Sequence, residues 1–294
     1  MKLIKRLKLA SLIITTFSFL LINTQYLFAA DVTISTSTTT TIPDSGGTLT
    51  ITSSGSITAD GYGVTSNSGN GFLTITNEGT ISADQNASAI ITFNPSSNIS
   101  SILNLGILEV RDGSFQGVID VFDSGNSIFN ITNAGTIRGG AFNISNNGTI
   151  TTLTNMQGAG NVSGPLTYRG VLPTNYGIFV VSTSIYGKLA VTSGTGSMAF
   201  SVDDNSILTA NLYTDVLSGV APVNISNLSG STVTGTLGLF NWTLQDLDAN
   251  STWDLLVALN GPAIADTMNS LTDQSNKLRQ VFNNQTNIAN NSLN

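Results

Sequence analysis

Four acidic side chains lie close together in the sequence, at Glu109, Asp112, Asp120 and Asp123. Two neighbouring carboxyl groups can supply the acid and the base, or the nucleophile, of glycoside hydrolysis. The Gly and Ser residues of this stretch indicate a loop, in which solvated acids are the ordinary outcome. The acidic loop Asp112–Asp123 is therefore kept as the alternative function, a polysaccharide-acting enzyme of glycosidase or lyase type.

Two other patterns have residue types found in catalytic sites but lack the necessary partners. Asp44-Ser45-Gly46-Gly47 has the composition of a serine-protease nucleophile loop, yet Pro43 replaces the expected Gly and the chain has no His to act as the base. Arg111 and Arg138 are 27 residues apart, near one repeat of the chain, and could stack on one face as a lyase-like basic pair. No third basic residue joins them, so we expect neither pattern to be a site.

Composition removes most of the remaining catalytic chemistry. The chain has no His and no Cys, which excludes imidazole catalysis, thiol nucleophiles, His- or Cys-liganded zinc and disulfides. Four of its ten basic residues lie at the N-terminus, which leaves six against 17 acids. Such a surface repels phosphate backbones, so no nucleic-acid partner is expected. The glycine-rich run at 158–164 has the wrong spacing for a dinucleotide loop. We expect no enzyme activity, catalytic residue, cofactor or metal.

The first 30 residues have the order of a secretory signal peptide. Lys2, Lys5, Arg6 and Lys8 precede an apolar run at residues 9–22, and Ala29-Ala30 offers a cleavage site. The apolar run is shorter than the roughly 20 residues of a comfortable membrane span, although an uncleaved anchor is the alternative. We therefore predict export through the inner membrane to the periplasm, the outer membrane, the cell surface or the medium.

One short pattern recurs, in which Gly and flanking polar residues separate two aliphatic residues. Its copies are at residues 51–57, 75–81, 102–108, 131–137 and 144–150, and their starts are 24, 27, 29 and 13 residues apart. The first three intervals suit one coil of a solenoid, and the last indicates half a coil or a new strand within one. Because no coil buries its core alone, neighbouring coils must stabilise one another.

The residues within each copy explain how a coil would form. Period-two alternation places Leu and Ile on one face of a strand and Thr on the other. Stacked about 4.8 Å apart, Ile51, Ile75, Ile102 and Ile131 would form an internal aliphatic ladder. The Asn-x-Gly that follows would turn the corner through positive φ. The prediction for residues 31–164 is a right-handed parallel β-helix (β-solenoid), with a β-sandwich as the alternative.

The outward Thr residues of these strands suggest binding rather than catalysis. Thr48 and Thr50, and Thr74 and Thr76, would present their hydroxyls on one side of stacked strands. Such a flat array could bind ice or sugar. Outward Thr is also common on ordinary strands, so a purely structural role stays open.

The composition changes twice towards the C-terminus. Residues 165–260 have longer strands and include Trp242 and Trp253, which predicts an all-β cap over the open end of the solenoid. Residues 261–294 have a thin apolar stripe through Met268, Leu271 and Leu278, which predicts a short α-helical linker. Such a helix is too weakly amphipathic to be stable alone in water.

The order of these segments resembles the passenger region of a Gram-negative autotransporter (type V secretion). The signal peptide, the Ile-Thr-Asn-x-Gly-Thr-Ile coils, the aromatic segment and the polar helix follow that order, and residues 186–257 look like a passenger folding core. The resemblance implies an adhesin-like module that binds a glycan, matrix or cell-surface ligand. It also implies an outer-membrane β-barrel translocator, so we expect a truncated passenger or a barrel encoded separately.

Overall fold

The computed structural model describes residues 30–67, 72–111, 116–161, 163–247, 250–261, 265 and 268–280. Nearly all of the predicted signal peptide, and Asp112 of the acidic loop, lie outside these ranges. No helix among the described residues is long and apolar enough to cross a membrane. The described part of the chain is mostly β-strands joined by turns and loops, with a 3-10 turn at Pro222–Asn224 and a C-terminal α-helix whose residues 268–280 are exposed.

In chain order the strands are β1 (Ala30–Ile34), β2 (Ser37–Thr38), β3 (Ile42–Pro43), β4 (Gly46–Ile51), β5 (Ser56–Thr58), β6 (Val64–Ser66), β7 (Thr74–Asn77), β8 (Thr80–Ala83), β9 (Ile90–Thr92), β10 (Asn98–Asn104), β11 (Ile107–Val110), β12 (Gly117–Val121), β13 (Ser127–Asn133), β14 (Thr136–Gly139), β15 (Phe142–Asn146), β16 (Thr149–Asn155), β17 (Gly158–Ala159), β18 (Leu166–Val171), β19 (Asn175–Ile178), β20 (Tyr186–Gly187), β21 (Leu189–Thr195), β22 (Ala199–Val202), β23 (Asn211–Ser218), β24 (Thr232–Leu237), β25 (Phe240–Gln245) and β26 (Thr252–Leu259).

Each coil contributes one strand to each of up to three stacked sheets. Sheet A has the order β1-β4-β7-β10-β13-β16-β19-β22, and sheet B has the order β2-β5-β8-β11-β14. Sheet C runs from β3 through every third strand to β21, then through β23 to β26, β25 and β24. All pairings between successive coils are parallel, which gives a β-solenoid of about seven turns. The predicted parallel solenoid is confirmed, while the handedness of its coils stays a prediction.

The core of the solenoid is a set of aliphatic ladders, one for each sheet. In sheet A, Leu49, Ile75, Ile102, Ile131 and Leu153 pair in register and are at most 1% exposed. Sheets B and C have matching ladders, which run from Ile57 to Ile137 and from Val64 to Ile144. Each rung therefore contacts the coils before and after it.

One rung of the predicted ladder is wrong, because Leu49 rather than Ile51 pairs with Ile75. Ile51 instead pairs with Asn77. The first coil uses residues 52–55 to pass from β4 to β5, whereas the next coil uses only residues 78–79 to pass from β7 to β8. Because the first corner has two more residues, aligning the repeats at their glycines pairs Ile51 with Ile75 instead of Leu49. An alignment of the repeats without gaps cannot show this.

A ladder of buried amides follows the aliphatic ladder at this corner. Asn77, Asn104 and Asn133 each donate a hydrogen bond from Nδ2 to the Oδ1 of the next Asn, over 2.8, 2.8 and 3.0 Å, and the last acceptor is Asn155. All four are at most 1% exposed. The side chain of Gln157 then accepts a hydrogen bond from the Ile137 N–H and donates one to the Ile137 carbonyl. These two bonds replace those that a further strand of sheet B would make with β14. Amide-to-amide bonds thus satisfy polar groups that would be costly to bury unpaired.

The corner glycines are needed for space rather than for positive φ, which corrects the sequence prediction. Gly79, Gly106 and Gly135 are not among the residues with positive φ. A Cβ at any of them would lie 2.1–2.2 Å from the carbonyl oxygen of the corner glycine one coil earlier. Because no side chain fits that approach, glycine repeats at every copy of the motif.

The parallel coils continue beyond residue 164, where the sequence indicates the start of the cap. Tyr176 and Phe200 extend the sheet A ladder past Leu153, and Tyr168 extends the sheet C ladder past Ile144. Aromatic rings therefore replace the aliphatic rungs without ending the solenoid. The antiparallel strands β24, β25 and β26 follow, with β26 paired to β23.

Candidate functional site

The outer side of sheet A carries two columns of small, mostly polar side chains, which we call the hydroxyl face. Its first column is Thr48, Thr74, Ser101, Asn130, Thr152, Asn175 and Ala199, and its second is Thr50, Thr76, Leu103, Thr132, Thr154, Gly177 and Ser201. Neighbours within each column are register partners on adjacent strands. The columns alternate along each strand with the buried ladders, so their side chains point to solvent.

The spacing of the hydroxyl face follows from strand geometry. Adjacent coils place successive members of a column about 4.8 Å apart, and residues two apart on a strand are about 6.6 Å apart. Neither column contains a charged residue. Thr suits these positions because its branched side chain packs well on a pleated surface while its hydroxyl stays accessible. The result is an uncharged array of donors and acceptors, which is interrupted at Leu103, Gly177 and Ala199.

Exposed apolar side chains border the array on both sides. Leu73 and Phe129, which directly precede members of the first column, are 55% and 59% exposed. Leu105, which follows the ladder residue Asn104, is 48% exposed. An exposed aromatic ring beside hydroxyl groups offers both a flat apolar platform and hydrogen-bonding partners.

The C-terminal end of the hydroxyl face differs from the rest. The second column is interrupted at Gly177, where a depression of about 290 Å³ opens. Its lining consists of Thr152, Thr154, Gly177, Ser201, Val202, Asp203 and Asp204. Two carboxylates are thus added to the array at this end.

The described members of the acidic loop lie on different parts of a coil. Glu109 is in sheet B, where its Oε2 accepts bonds of 2.8 and 2.6 Å from Arg138. Asp120 is in sheet C and 3% exposed, whereas Asp123 follows the end of β12 in a corner. Among these described acids, the arrangement offers no pair of accessible carboxylates flanking a common space.

Asp120 is instead a buried acid on the outer side of sheet C. It is in register with Ser145, which in turn pairs with Arg169. Burial raises the pKa of Asp120 to about 6, and the Ser145 hydrogen bond and the Arg169 charge only partly oppose this shift. Its Oδ1 has no hydrogen-bond partner among the described residues. The Arg169 guanidinium lies 4.6 Å from the centre of the Phe142 ring.

The two arginines do not stack on one another, which corrects the expectation from their 27-residue spacing. Arg138 pairs in register with Glu109, because this coil contains 29 residues. Arg111 lies at another corner, where it donates to the Ala59 carbonyl over 2.8 Å and lies 3.8 and 3.9 Å from Asp60 and Asp84. Each guanidinium is therefore paired with protein acids.

The remaining candidate residues from the sequence make contacts within the fold. Ser45 donates its hydroxyl to the Ala30 carbonyl over 2.7 Å, at the start of the solenoid. Gly158 belongs to β17, which forms an antiparallel pair with β20. Within the described ranges, no group of three or more Asp or Glu residues is arranged to hold a metal ion.

Comparisons of the chain with protein-family models, curated proteins and solved structures find no match. The chemistry of the hydroxyl face is therefore inferred from its geometry alone. Its groups donate and accept hydrogen bonds over a broad, uncharged surface, and this arrangement suits binding.

The sequence indicated only the first members of the hydroxyl face. The later members Thr132 and Thr154 cannot be aligned with them from the sequence, because coil length varies between 29 and 22 residues and no fixed period applies. A local signal does exist, since Thr directly precedes the ladder residues Asn77, Asn133 and Asn155. Phe129 and Gly177 give no such signal, because their role depends on what lies beside them in neighbouring coils.

Proposed function

We propose that this chain is a structural and adhesive β-solenoid whose hydroxyl face binds carbohydrate. The single observation that carries the proposal is the in-register array of uncharged hydroxyl and amide side chains on sheet A, bordered by exposed Phe129. Sugars offer many hydroxyls and apolar ring faces, which such a surface matches. The excess of acids over bases disfavours anionic partners.

The described carboxylates of the acidic loop give less support to the alternative, a polysaccharide-acting enzyme that uses Asp112–Asp123. Glycoside hydrolysis requires two carboxyl groups on either side of the scissile bond. Glu109 is held by Arg138, and Asp120 is buried. We therefore propose a non-enzymatic role that requires no cofactor.

The proposal includes delivery to the cell surface by the autotransporter route. The leader residues that motivate it, such as Lys2 and Arg6, lie outside the described part of the chain. A solenoid with a broad, uncharged ligand face is suited to such exposure, and a β-barrel translocator stays part of the proposal. Detection of the protein on intact cells by a surface-specific protease treatment would test this step.

A glycan array containing neutral, amino and acidic glycans tests the carbohydrate proposal. We expect the full chain to bind neutral glycans, and Phe129→Ser to weaken binding because it removes the apolar platform. Phe122→Ser is the matched control, since Phe122 is 44% exposed but lies beyond sheet C. Absence of binding to every glycan, or equal loss in both variants, would overturn the proposal. Release of reducing sugar that disappears on Asp120→Asn would favour the enzyme instead.

A further inference from the structure

One position of the hydroxyl face has no side chain. Gly177 in β19 pairs with Thr154 on β16 and with Ser201 on β22. Its chain neighbours Tyr176 and Ile178 are fully buried in the core, so position 177 faces outward. The absent side chain leaves the depression of about 290 Å³ described above.

The fold does not require a glycine at this position. Gly177 is not among the residues with positive φ. A Cβ built on it would lie 3.3 Å from Thr154 Oγ1 and 3.5 Å from Ser201 Oγ. These nearest atoms belong to side chains, whereas the atoms 2.1–2.2 Å from a Cβ at the corner glycines are backbone oxygens. The depression is therefore a feature of the surface rather than a consequence of the turn geometry.

The groups around the depression combine two kinds of hydrogen-bonding partner. The hydroxyls of Thr154 and Ser201 flank it; Ser201 donates a long bond of 3.5 Å to the Tyr176 carbonyl, and its oxygen can still accept. Asp203 Oδ1 accepts bonds of 2.9 and 3.1 Å from the backbone and side chain of Asn205, which orients its carboxylate. Bonds from hydroxyls to a carboxylate are stronger than those between neutral groups.

We propose that the depression at Gly177 is a subsite for one neutral hexose unit, whose ring hydroxyls donate to Asp203 and Asp204. The inference rests on the proposed function and specifies where the glycan is held. The volume is near the lower end of small-molecule sites, about 300–1,000 Å³, which suits a single sugar ring. The two carboxylates repel uronic acids and other anionic sugars.

Gly177→Thr distinguishes binding at this subsite from binding at the rest of the hydroxyl face. The substitution fills the depression and also completes the hydroxyl column between Thr154 and Ser201. Gly61→Thr is the matched control, because nothing lies within 4 Å of a Cβ at Gly61 and the position is in a corner outside sheet A. Asp204→Asn is a second variant that changes one exposed carboxylate and tests the subsite even if Gly177→Thr fails to fold.

Calorimetric titration with cellotriose, maltotriose and mannotriose decides the inference, with trigalacturonic acid as the anionic comparison. We expect the full chain to bind at least one neutral trisaccharide and not the acid. Gly177→Thr should weaken that binding about tenfold or more, Asp204→Asn should weaken it too, and Gly61→Thr should have no effect. Unchanged affinity in Gly177→Thr and Asp204→Asn, with loss in Thr132→Val, would overturn the subsite and leave the hydroxyl-face proposal standing. Failure of the parent chain to bind any of the trisaccharides would overturn the subsite, and the hydroxyl-face proposal would fall with it only if the parent chain also binds no glycan of the array.

Discussion

Asn77 pairs in register with Ile51, so the first amide of the internal ladder stacks on a hydrocarbon side chain. The Oδ1 of Asn77 consequently has no hydrogen-bond partner among the described residues, whereas its Nδ2 donates to Asn104 and to the Ile107 carbonyl. The amide ladder therefore has a direction, and its unpaired acceptor lies at the N-terminal end.

The cost of removing an amide should depend on its place in this ladder. Asn104→Leu interrupts the ladder, leaves the Asn133 acceptor unpaired in addition to that of Asn77, and should reduce the free energy of unfolding by about 2–4 kcal/mol. Asn77→Leu removes the unpaired Oδ1 of Asn77 and leaves that of Asn104 without its donor. The number of unpaired acceptors is then unchanged, so this substitution should cost less. Urea denaturation of both variants measures the difference. Equal losses would show that the ladder does not act as a chain of coupled hydrogen bonds.

Adding one methyl group at a corner glycine should disrupt the solenoid. In Gly106→Ala the new Cβ would lie 2.1 Å from the Gly79 carbonyl oxygen, so the two coils must separate there. We expect a loss of about 3 kcal/mol or more in thermal or urea unfolding. Gly61→Ala, where the added Cβ meets no atom within 4 Å, should be nearly neutral. Similar stability of the two variants would contradict the steric role of the corner glycines.

The repeated motif allowed the solenoid to be predicted because its physical requirement is local. Each corner needs a glycine under the preceding coil, so Gly79, Gly106 and Gly135 recur with aliphatic residues at fixed distances. The copy at residues 144–150 starts early because it forms the corner from sheet C to sheet A, within the same coil.

The register of the first coils and the C-terminal extent of the solenoid could not be predicted from the same motif. The longer first corner displaced Ile51 by two positions, and aromatic rungs such as Tyr176 concealed the continuing coils. The depression at Gly177 was also invisible in the sequence, because its rim comes from strands 23 residues before and 24 residues after it. Coil lengths must be known before such neighbours can be identified.

Stability should increase as the pH falls from 7 towards 4, owing to Asp120. Its pKa in the folded protein is about 6, above the ordinary value of 3.8, so the folded chain binds a proton more readily than the unfolded chain. Ionisation of this buried acid therefore destabilises the fold at neutral pH by up to about 3 kcal/mol, and protonation removes the cost. Urea unfolding at pH 4.5 and pH 7 measures this dependence.

Asp120→Asn should stabilise the protein at pH 7 and flatten its stability profile between pH 4 and pH 7, because the amide does not ionise. Asp273→Asn, on the exposed C-terminal helix, provides the control and should leave the profile as in the parent chain. An Asp120→Asn profile that still rises as steeply towards pH 4 would assign the pH dependence to another group.

The antiparallel end of the chain should stabilise the coils that precede it. Trp253 is 1% exposed, donates its indole N–H to the Val220 carbonyl over 2.8 Å, and lies in β26, which pairs with the solenoid strand β23. Loss of its ring should cost about 3–5 kcal/mol. Trp253→Ala should therefore become sensitive to protease through the C-terminal strands and adjacent coils, whereas Ile75→Ala should be cleaved only near its own coil. The reverse pattern in limited proteolysis would make the N-terminal coils the more stable unit.

Two matched triple variants, each with three threonines replaced on a different face of the solenoid, test the central claim most directly. The triple variant Thr76→Val, Thr132→Val and Thr154→Val removes three hydroxyls from the hydroxyl face while the branched side-chain shape is kept. Its control carries Thr58→Val, Thr80→Val and Thr136→Val, the same change on the outer side of sheet B. With the affinity of each protein measured for the neutral glycan that the parent chain binds most tightly, we expect about a tenfold or greater loss in the sheet A variant and parental affinity in the control. Parental affinity in the sheet A variant, or the same loss in both variants, would contradict carbohydrate binding by the hydroxyl face.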